Sequence, residues 1–322
     1  MSNISDLKPK VSIIGAGNVG MRYAYALMIG GVVRQMVIVD LDRKKTEGEV
    51  MDLSHGAPYI SPVEIISGDY ADIKDSDLVV ITAGKKQAQG QSRIDLAKDN
   101  ARLYKTIISQ VMRYAPSAIF LIVTNPVDVL SYAALKFSGK SYTEVIGSGT
   151  VLDSARFRTL LGRHCGIDPR NIHAYILGEH GDTEFAAWSN AMIGGVLLKE
   201  YCAACDDKHA CDNEKGLNQI FEDVRDSAYK IIGLKGETSY GIGLALVRIT
   251  QAIIKNENAI LPVSSLTQGY LGVNDVYLSL PAVINKKGIR EVLQLTLNAR
   301  EQKEFRKSSA AIKRVIKELG LL

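Results

Sequence analysis

The sequence predicts an α/β fold in which a doubly wound parallel sheet is fused to a second domain of mixed α+β structure. The first observation is a series of short, continuous apolar runs, at 10–16, 36–40, 63–67, 77–84 and 118–125. The second is the helical pattern that fills the intervals between them, at 18–31, 43–55 and 93–115. Continuous apolar strands that alternate with helices are typical of a parallel sheet covered on both faces.

The pattern of predicted helices and strands changes after about residue 150, which indicates a second domain. From there the pattern gives a helix, strand-like segments, two long helices, further strands and a charged terminal helix, at 151–164, 171–198, 216–234, 238–256, 259–284 and 298–319. The length of 322 residues suits two domains of about 150 residues each. We therefore predict one domain over residues 1–149 and a second over residues 150–322.

The composition is that of an ordinary globular protein, with 46% apolar and 23% charged residues. The net charge of +4 is spread thinly, so we expect neither nucleic acid nor a membrane surface as a partner. Only Arg22 is charged between Val11 and Val33, but five glycines in this stretch favour a strand, a turn and a helix over a membrane span. Four cysteines and no recognisable secretory leader predict a reducing, cytoplasmic setting.

The segment GAGNVG at 15–20 follows the first strand and opens the first helix. Gly15, Gly17 and Gly20 stand in the G-x-G-x-x-G spacing that allows a tight turn, a close approach of phosphate and close packing of helix on strand. Free N–H groups at the helix start, around Asn18 and Val19, favour an anion. Twenty residues beyond Gly20, the second strand ends in Asp40, an acid that suits the ribose of NAD and repels the 2′-phosphate of NADP.

The sequence therefore predicts a Rossmann-type domain that binds NAD. The alternative is a purely structural turn with an unrelated surface carboxylate. The pattern does not indicate which reaction the bound dinucleotide serves.

A histidine in the second half is the first candidate for proton transfer. His180 lies in GEHGDTE, and an unperturbed histidine pKa of about 6.5 suits acid–base work near neutral pH. In VLDSARFR, Asp153 and Arg156 stand three residues apart and share one helix face. An aspartate can orient an imidazole, and a guanidinium can bind a carboxylate in bidentate fashion. The alternatives are a structural histidine and a simple salt bridge within the helix.

A polar loop, GKKQAQGQSR, leaves the carboxyl end of the strand at 77–84. Ligands bind at this edge in open α/β sheets, and the length of the loop suits a lid. It carries Gln87 near its start and Arg93 at its end. An ordinary surface loop is the alternative.

Seven motifs occur in the order and spacing of the L-lactate dehydrogenases, which the sequence resembles over nearly its whole length, with the bacterial branch as the nearest likeness. They are GAGNVG (15–20), MDLSHG (51–56), TAGKKQAQGQSR (82–93), TNPVD (124–128), GSGTVLDSARFR (147–158), NIHAYILGEHGD (171–182) and KGETSYGIG (235–243). The resemblance implies an NAD-binding domain, a catalytic domain that binds substrate, and reversible hydride transfer between pyruvate and L-lactate, the final step of lactic fermentation after glycolysis.

The same resemblance implies roles for individual residues. His180 is the proton donor and acceptor, Asp153 orients it, Arg156 binds the substrate carboxylate, and Arg93 polarises the ketone when the loop closes. Further positions expected to contact substrate or cofactor are Asn125 and Thr238 for substrate, and Ala83, Gly84, Thr124 and Asn125 for the cofactor.

Substrate choice is expected to depend on Gln87, because this position is arginine where the family reduces a substrate with a second carboxylate. A neutral amide tolerates the methyl group of pyruvate. Lys85 and Lys86 lie beside it and could partly replace such an arginine. A malate or branched-chain 2-hydroxyacid dehydrogenase is therefore the alternative, and a non-catalytic nucleotide-binding protein is a more distant one.

Arg158 lies about 200° around the helix from Arg156 and must serve another surface. The resemblance pairs it with His173 in a subunit-interface site for fructose 1,6-bisphosphate, within a homotetramer. Cations from two subunits would repel one another until the bisphosphate bridges them. The alternative is that both residues are present without activation.

The last motif is a cluster of thiols. Cys202, Cys205 and Cys211 lie close to His209 in the sequence. Such a cluster can bind zinc, but structural zinc sites usually combine two pairs of ligand residues that lie further apart in the sequence. We therefore expect reduced thiols and no metal.

Overall fold

The computed structural model describes residues 9–86, 90–204 and 214–322. Among these residues, the first half of the chain contains six strands and four α-helices. The strands are β1 Lys10–Ile14, β2 Gln35–Val39, β3 Glu64–Ser67, β4 Leu78–Ile81, β5 Ile119–Ile122 and β6 Val145–Gly147. The helices are α1 Asn18–Gly30, α2 Arg43–His55, α3 Arg93–Tyr114 and α4 Val127–Ser138.

These six strands form a parallel sheet in the order β3-β2-β1-β4-β5-β6. This is the doubly wound order of dinucleotide-binding domains, with its crevice where the strand order reverses beside β1. The predicted strands and helices of this half are confirmed. The structure adds β6 and α4, which the sequence analysis did not predict.

Alternate residues of the strands pack into two separate cores, one on each face of the sheet. Val37, Val79 and Phe120 face the core formed with α3, α4 and the terminal helix. Ile13, Met36 and Val80 face the core formed with α1 and a later helix. Both faces are therefore covered, which explains why these strands are continuous apolar runs.

The second half contains eight further strands and five helices among the described residues. Five short strands lie in two small sheets: β7 Ile172–His173, β8 Ile176–Leu177, β9 Phe185–Ala186, β10 Met192–Ile193 and β11 Val196–Leu197. The longer strands are β12 Ala259–Gln268, β13 Asn274–Asn285 and β14 Gly288–Val292. The helices are α5 Val151–Cys165, α6 Leu198–Ala204, α7 Glu214–Lys235, α8 Tyr240–Ile254 and α9 Ala299–Glu318.

The main sheet continues from the first half into the second. Strands β12, β13 and β14 form an antiparallel meander, and β12 pairs with β6 at Ser264 and Gly147. The result is a nine-stranded sheet in the order β14-β13-β12-β6-β5-β4-β1-β2-β3. The meander covers the edge of β6, which would otherwise expose unpaired backbone groups.

The stretch from Val11 to Val33, in which only Arg22 is charged, folds as β1, a glycine turn and α1, as its glycines predict. Within the described part of the chain, no helix combines the length and apolar character that a membrane crossing needs.

Candidate active site

The turn between β1 and α1 depends on two of its glycines for packing. Gly15 has φ of 116°, and a Cβ there would lie 2.6 Å from the backbone nitrogen of Ala83. A Cβ on Gly20 would lie 2.0 Å from the carbonyl oxygen of Gly15. Any side chain at either position would collide with backbone.

Gly17 differs from the other two because nothing lies within 4 Å of where its Cβ would be. It precedes the first turn of α1, and no side chain caps this helix end. The N–H groups of Asn18, Val19 and Gly20 therefore have no partner within the helix. An open space above free N–H groups at a helix N-terminus fits the pyrophosphate of a dinucleotide.

Asp40, directly after β2, lies against this glycine turn. Its carboxylate accepts a hydrogen bond from the backbone N–H of Ala16 at 2.7 Å and one from Asp42 at 3.0 Å. The acid and the turn are thus adjacent in space, as the predicted dinucleotide site requires.

The loops after β4 and β5 are held together by polar contacts. The Thr124 hydroxyl donates to the carbonyl of Ala83 at 2.8 Å, and a Cβ on Gly84 would lie 2.1 Å from the Thr124 methyl group. Asn100 of α3 is buried, donates to the carbonyl of Asn125 at 3.0 Å and accepts from the N–H of Lys85 at 2.8 Å. The predicted cofactor residues of these two loops therefore form one surface.

Asn100 was not predicted as a site residue from the sequence. A signal was available, because Asn100 stands at helical spacing among the buried residues Ala97, Ala101 and Tyr104 of α3. A polar amide on the apolar face of a helix needs hydrogen-bond partners in the folded state.

His180, Asp153 and Arg156 come together in the second half. His180 Nδ1 lies 2.6 Å from one oxygen of Asp153, and Arg156 Nη1 lies 2.7 Å from the other oxygen. The Asp153 side chain is only 4% exposed, whereas the His180 side chain is 28% exposed. The salt bridge within the helix and the aspartate–histidine pair, which were alternatives for Asp153, both exist.

These contacts set the charges of the pair. Burial alone would raise the pKa of Asp153, but the charges of His180 and Arg156 outweigh it and hold that pKa below its usual value. Burial alone would lower the pKa of His180, but the charge and hydrogen bond of Asp153 outweigh it and raise that pKa to about 9. The imidazole therefore holds its proton at neutral pH.

Asp128, within the TNPVD motif, is a second buried carboxyl group that touches this site. It accepts hydrogen bonds from the backbone N–H of His180, at 2.8 Å, and from the hydroxyl of Ser264. Burial raises the pKa of Asp128 to about 7, although both hydrogen bonds oppose the shift. Asp128 fixes the loop of His180 against the loop of Asn125, three residues earlier in the chain.

Glu184 is a third buried carboxyl group, and its part in the site was not predicted from the sequence. Burial, together with the negative charge of Asp153, raises the pKa of Glu184 to about 8. Among the described residues, Asp153, His180 and Glu184 are the one group spaced for a metal ion. Asp153 is already bound by Arg156 and His180, and Arg156 would repel a cation, so these residues do not fit a metal site.

The remaining candidates lie at different depths. Thr238 is half-buried in the loop between α7 and α8, and Asn125 is exposed at the loop after β5. Arg158 is half-buried on α5, where burial lowers its pKa, and His173 is exposed on β7.

Several predicted residues lie at the start of a helix or outside the described segments of the chain. Arg93 is the first residue of α3, and Gln87 lies outside the described residues. Cys205, His209 and Cys211 also lie outside them, while Cys202 is buried.

Comparison with known proteins agrees with this fold. Residues 9–147 match the NAD-binding domain of the lactate/malate dehydrogenases, and residues 150–320 match their C-terminal α/β domain. The L-lactate dehydrogenase of Acetivibrio thermocellus is 49% identical over 321 residues, covering 100% of both chains. That of Thermoanaerobacter pseudethanolicus is 49% identical and covers 97% of this chain and 99% of its own.

Two solved structures are similar throughout. A lactate dehydrogenase from a Medee basin deep-sea metagenome library has a TM-score of 0.94 and 45% identity, covering 98% of this chain and 99% of its own. The minor L-lactate dehydrogenase of Enterococcus mundtii has a TM-score of 0.92 and 39% identity, covering 96% and 98%.

The chain belongs to the lactate/malate dehydrogenase family, a class of NAD-dependent oxidoreductases. Within this family it groups with the L-lactate dehydrogenases, which are its relatives over the full length. The predicted Rossmann-type fold, the NAD cofactor and the enzyme class are thereby confirmed.

Proposed function

We propose that the protein catalyses the reversible, NAD-dependent reduction of pyruvate to L-lactate. The observation that carries the proposal is the buried Asp153 carboxylate, which binds both His180 and Arg156. One side chain thus orients a proton donor and a carboxylate-binding cation toward the same place.

The residues around the glycine turn hold the cofactor in this proposal. The N–H groups of Asn18, Val19 and Gly20 bind the pyrophosphate, and Asp40 binds the adenosine ribose. The remainder of the dinucleotide lies along the surface formed by Ala83, Gly84, Thr124 and Asn125. Bound NADH supplies the hydride that reduces the carbonyl carbon of pyruvate.

His180 supplies the proton. Because Asp153 binds Nδ1, Nε2 is the nitrogen left to face the substrate. The raised pKa keeps the ring protonated until the carbonyl oxygen of pyruvate takes the proton and becomes the hydroxyl group of lactate. In the reverse direction the neutral ring accepts this proton again.

Arg156 positions the substrate. Its Nη1 is held by Asp153, and its remaining N–H groups can pair with the substrate carboxylate. Arg93, at the end of the polar loop, acts on the developing charge of the carbonyl oxygen when the loop excludes water. Thr238 and Asn125 complete the pocket.

Substrate choice favours pyruvate over a dicarboxylate in this account. Gln87 offers no counter-charge to a second carboxylate, whose desolvation would then be unfavourable. Lys85 Nζ lies 3.3 Å from a carboxylate oxygen of Asp99. This ion pair engages one of the two lysines, Lys85 and Lys86, that could otherwise replace an arginine at position 87.

We also propose a homotetramer activated by fructose 1,6-bisphosphate. Arg158, half-buried on α5, and His173, exposed on β7, are the cations proposed to bind the phosphates. Exposed apolar side chains support association of subunits: Tyr25 and Ile29 on α1, and Tyr240 and Leu244 on α8, where the two helices pack together. A cytoplasmic setting, with lactic fermentation as its pathway, completes the proposal.

The test is the product of the reaction. Purified protein with NADH and pyruvate is expected to yield lactate that chiral chromatography identifies as the L-enantiomer. The variant His180→Gln is expected to bind NADH but to form product at least about 100-fold more slowly, since it lacks the proton donor. Formation of the D-enantiomer, or full activity of the variant, would contradict the proposal.

A further inference from the structure

We propose that Glu184 is a positioning residue of the reaction, whose buried carboxyl group sets the upper pH limit at which His180 keeps the proton that it gives to the substrate. The inference rests on the proposed function for its catalytic consequence. Its structural part, the coupling of two titrating groups, can be measured without any turnover.

The geometry places Glu184 beside the catalytic pair. A carboxylate oxygen of Glu184, a ring nitrogen of His180 and an oxygen of Asp153 all lie within 4.8 Å of one another. Glu184 is only 7% exposed, so water screens little of its charge. Asp153 is also buried away from water, so a change of charge on Glu184 acts strongly on the His180 ring.

Residues 178–184, between β8 and β9, form the catalytic loop that carries His180. Glu184 also lines a cavity of about 440 Å³ on the side of this loop that faces α7 and α9. Phe185, Trp188 and Phe221 form apolar parts of its wall. A carboxyl group between a cavity and the catalytic pair has a route to exchange its proton with water.

Charged groups face Glu184, His180 or the cavity from the neighbouring elements. They are Asp153 and Arg156 on α5, Glu179, His180 and Asp182 on the catalytic loop, Asp128 on α4, Arg225 on α7, and Arg300, Glu301, Glu304 and Lys307 on α9. Asp153 disfavours a charge on Glu184, while His180 and Arg156 favour it. The balance with burial leaves the carboxyl group neutral at pH 7.

Ionisation of Glu184 and of His180 are thus linked. The pKa of His180 is raised to about 9 and that of Glu184 to about 8, so the two groups titrate over neighbouring ranges of pH, and the carboxyl group becomes negative while part of the His180 population still holds its proton. Its new negative charge then stabilises the imidazolium, and His180 holds its proton to a higher pH than Asp153 alone would permit. Glu184 touches neither substrate nor cofactor in this account.

The direct test is titration of the His180 ring by NMR in protein labelled with ¹⁵N-histidine, assigned with His180→Gln. In Glu184→Gln, which keeps the shape but cannot ionise, the His180 midpoint is expected to fall by about half a pH unit or more, about threefold in proton affinity. In Glu184→Asp, which keeps an ionisable carboxyl group, the His180 midpoint is expected to return most of the way to its wild-type value. Asp182→Asn removes an exposed carboxylate of the same loop and is expected to leave the midpoint unchanged.

The catalytic test is the pH profile of kcat/KM for pyruvate. Its upper limb is expected to move to lower pH in Glu184→Gln by the same amount, with little change at pH 6. If Glu184→Gln instead lowers kcat at all pH values and the upper limb of the profile stays at the wild-type pH, the role of Glu184 is structural. That result would overturn the proposal. If wild type does not reduce pyruvate, the proposed function fails while the NMR titration still decides the coupling.

If Glu184→Gln does not fold, the wild-type curve decides. Coupling to Glu184 predicts a His180 titration broader than that of a single site, with an inflection where Glu184 ionises that Asp128→Asn does not remove. A curve that fits one proton with no inflection would overturn the proposal.

Discussion

The carboxylate of Asp128 accepts the backbone N–H of His180 at 2.8 Å. This hydrogen bond joins the start of α4, just after the loop of Asn125, to the loop that carries the proposed proton donor. The position of His180 is therefore fixed through its backbone by Asp128 and through its ring by Asp153. The two aspartates perform separate tasks, and substitutions of each are expected to differ.

Asp128→Asn is expected to change the pH dependence of stability. The pKa of Asp128 is about 7 in the folded chain and near 3.8 when unfolded, so the folded state binds the extra proton. The stability this proton contributes is complete below pH 4 and is lost as pH rises through 7. Between pH 5 and pH 8, the free energy of unfolding of the wild type should fall by up to about 3 kcal/mol relative to that of the variant.

Urea unfolding at several pH values measures this difference. Parallel stability curves for wild type and variant would show that Asp128 does not titrate in this range. The comparison measures the titration of Asp128 together with any change that its loss causes at His180, because these two groups interact.

Asp153→Asn is expected to impair chemistry directly. The His180 ring would lose the partner that raises its pKa, so the upper limb of the pH profile for pyruvate reduction should move to lower pH. Loss of ring orientation should lower kcat/KM by about 10²–10⁴-fold. Asp168→Asn, at an exposed carboxylate paired with Arg170, is the control and should leave the profile in place.

Two glycine substitutions should separate folding from cofactor binding. Gly17→Ala places a methyl group in open space, so the melting temperature should change little while NADH affinity falls about tenfold or more. Gly20→Ala forces a methyl group against the carbonyl of Gly15 and should destabilise the fold by about 1–3 kcal/mol. Equal NADH affinity in wild type and Gly17→Ala would argue against a phosphate at this turn.

The elements of the first half follow from the sequence because their apolar residues have a clear period. Helix α4 was missed, since Pro126 and Asp128 belong to a motif interpreted by its resemblance rather than as a helix start. The extension of the sheet by β12 was also missed, because pairing between β6 and a strand more than 100 residues later leaves no local pattern.

The candidate site was predictable to a similar degree. His180, Asp153 and Arg156 are recognisable as residue types at suitable spacing. The parts played by Asp128 and Glu184 depend on their burial beside His180, and burial of an acid by distant segments cannot be read from its neighbours in the chain. Their raised pKa values follow from the folded structure alone.

Gln87→Arg is expected to redirect substrate preference. An arginine there would supply the counter-charge for a second carboxylate, so the ratio of kcat/KM for oxaloacetate to that for pyruvate should rise by about 100-fold or more. Gln91→Arg, on the same loop, is the matched control. An unchanged ratio in Gln87→Arg would remove position 87 from the account of specificity.

Arg158→Gln is expected to abolish activation by fructose 1,6-bisphosphate. The variant loses one proposed phosphate ligand, while Arg156 on the opposite side of α5 is untouched. Initial rates at low pyruvate, with and without the bisphosphate, measure the effect, and saturated turnover should stay near that of wild type. Activation that persists in the variant would place the effector elsewhere.

The most direct measurement of the central claim is NADH oxidation by wild type with pyruvate, oxaloacetate and 2-oxoisocaproate, compared as kcat/KM under one set of conditions. The neutral Gln87 and the engaged Lys85 predict that pyruvate exceeds both others by at least about tenfold. Equal or greater efficiency with oxaloacetate, or with the branched 2-oxo acid, would contradict the assignment of pyruvate as the substrate.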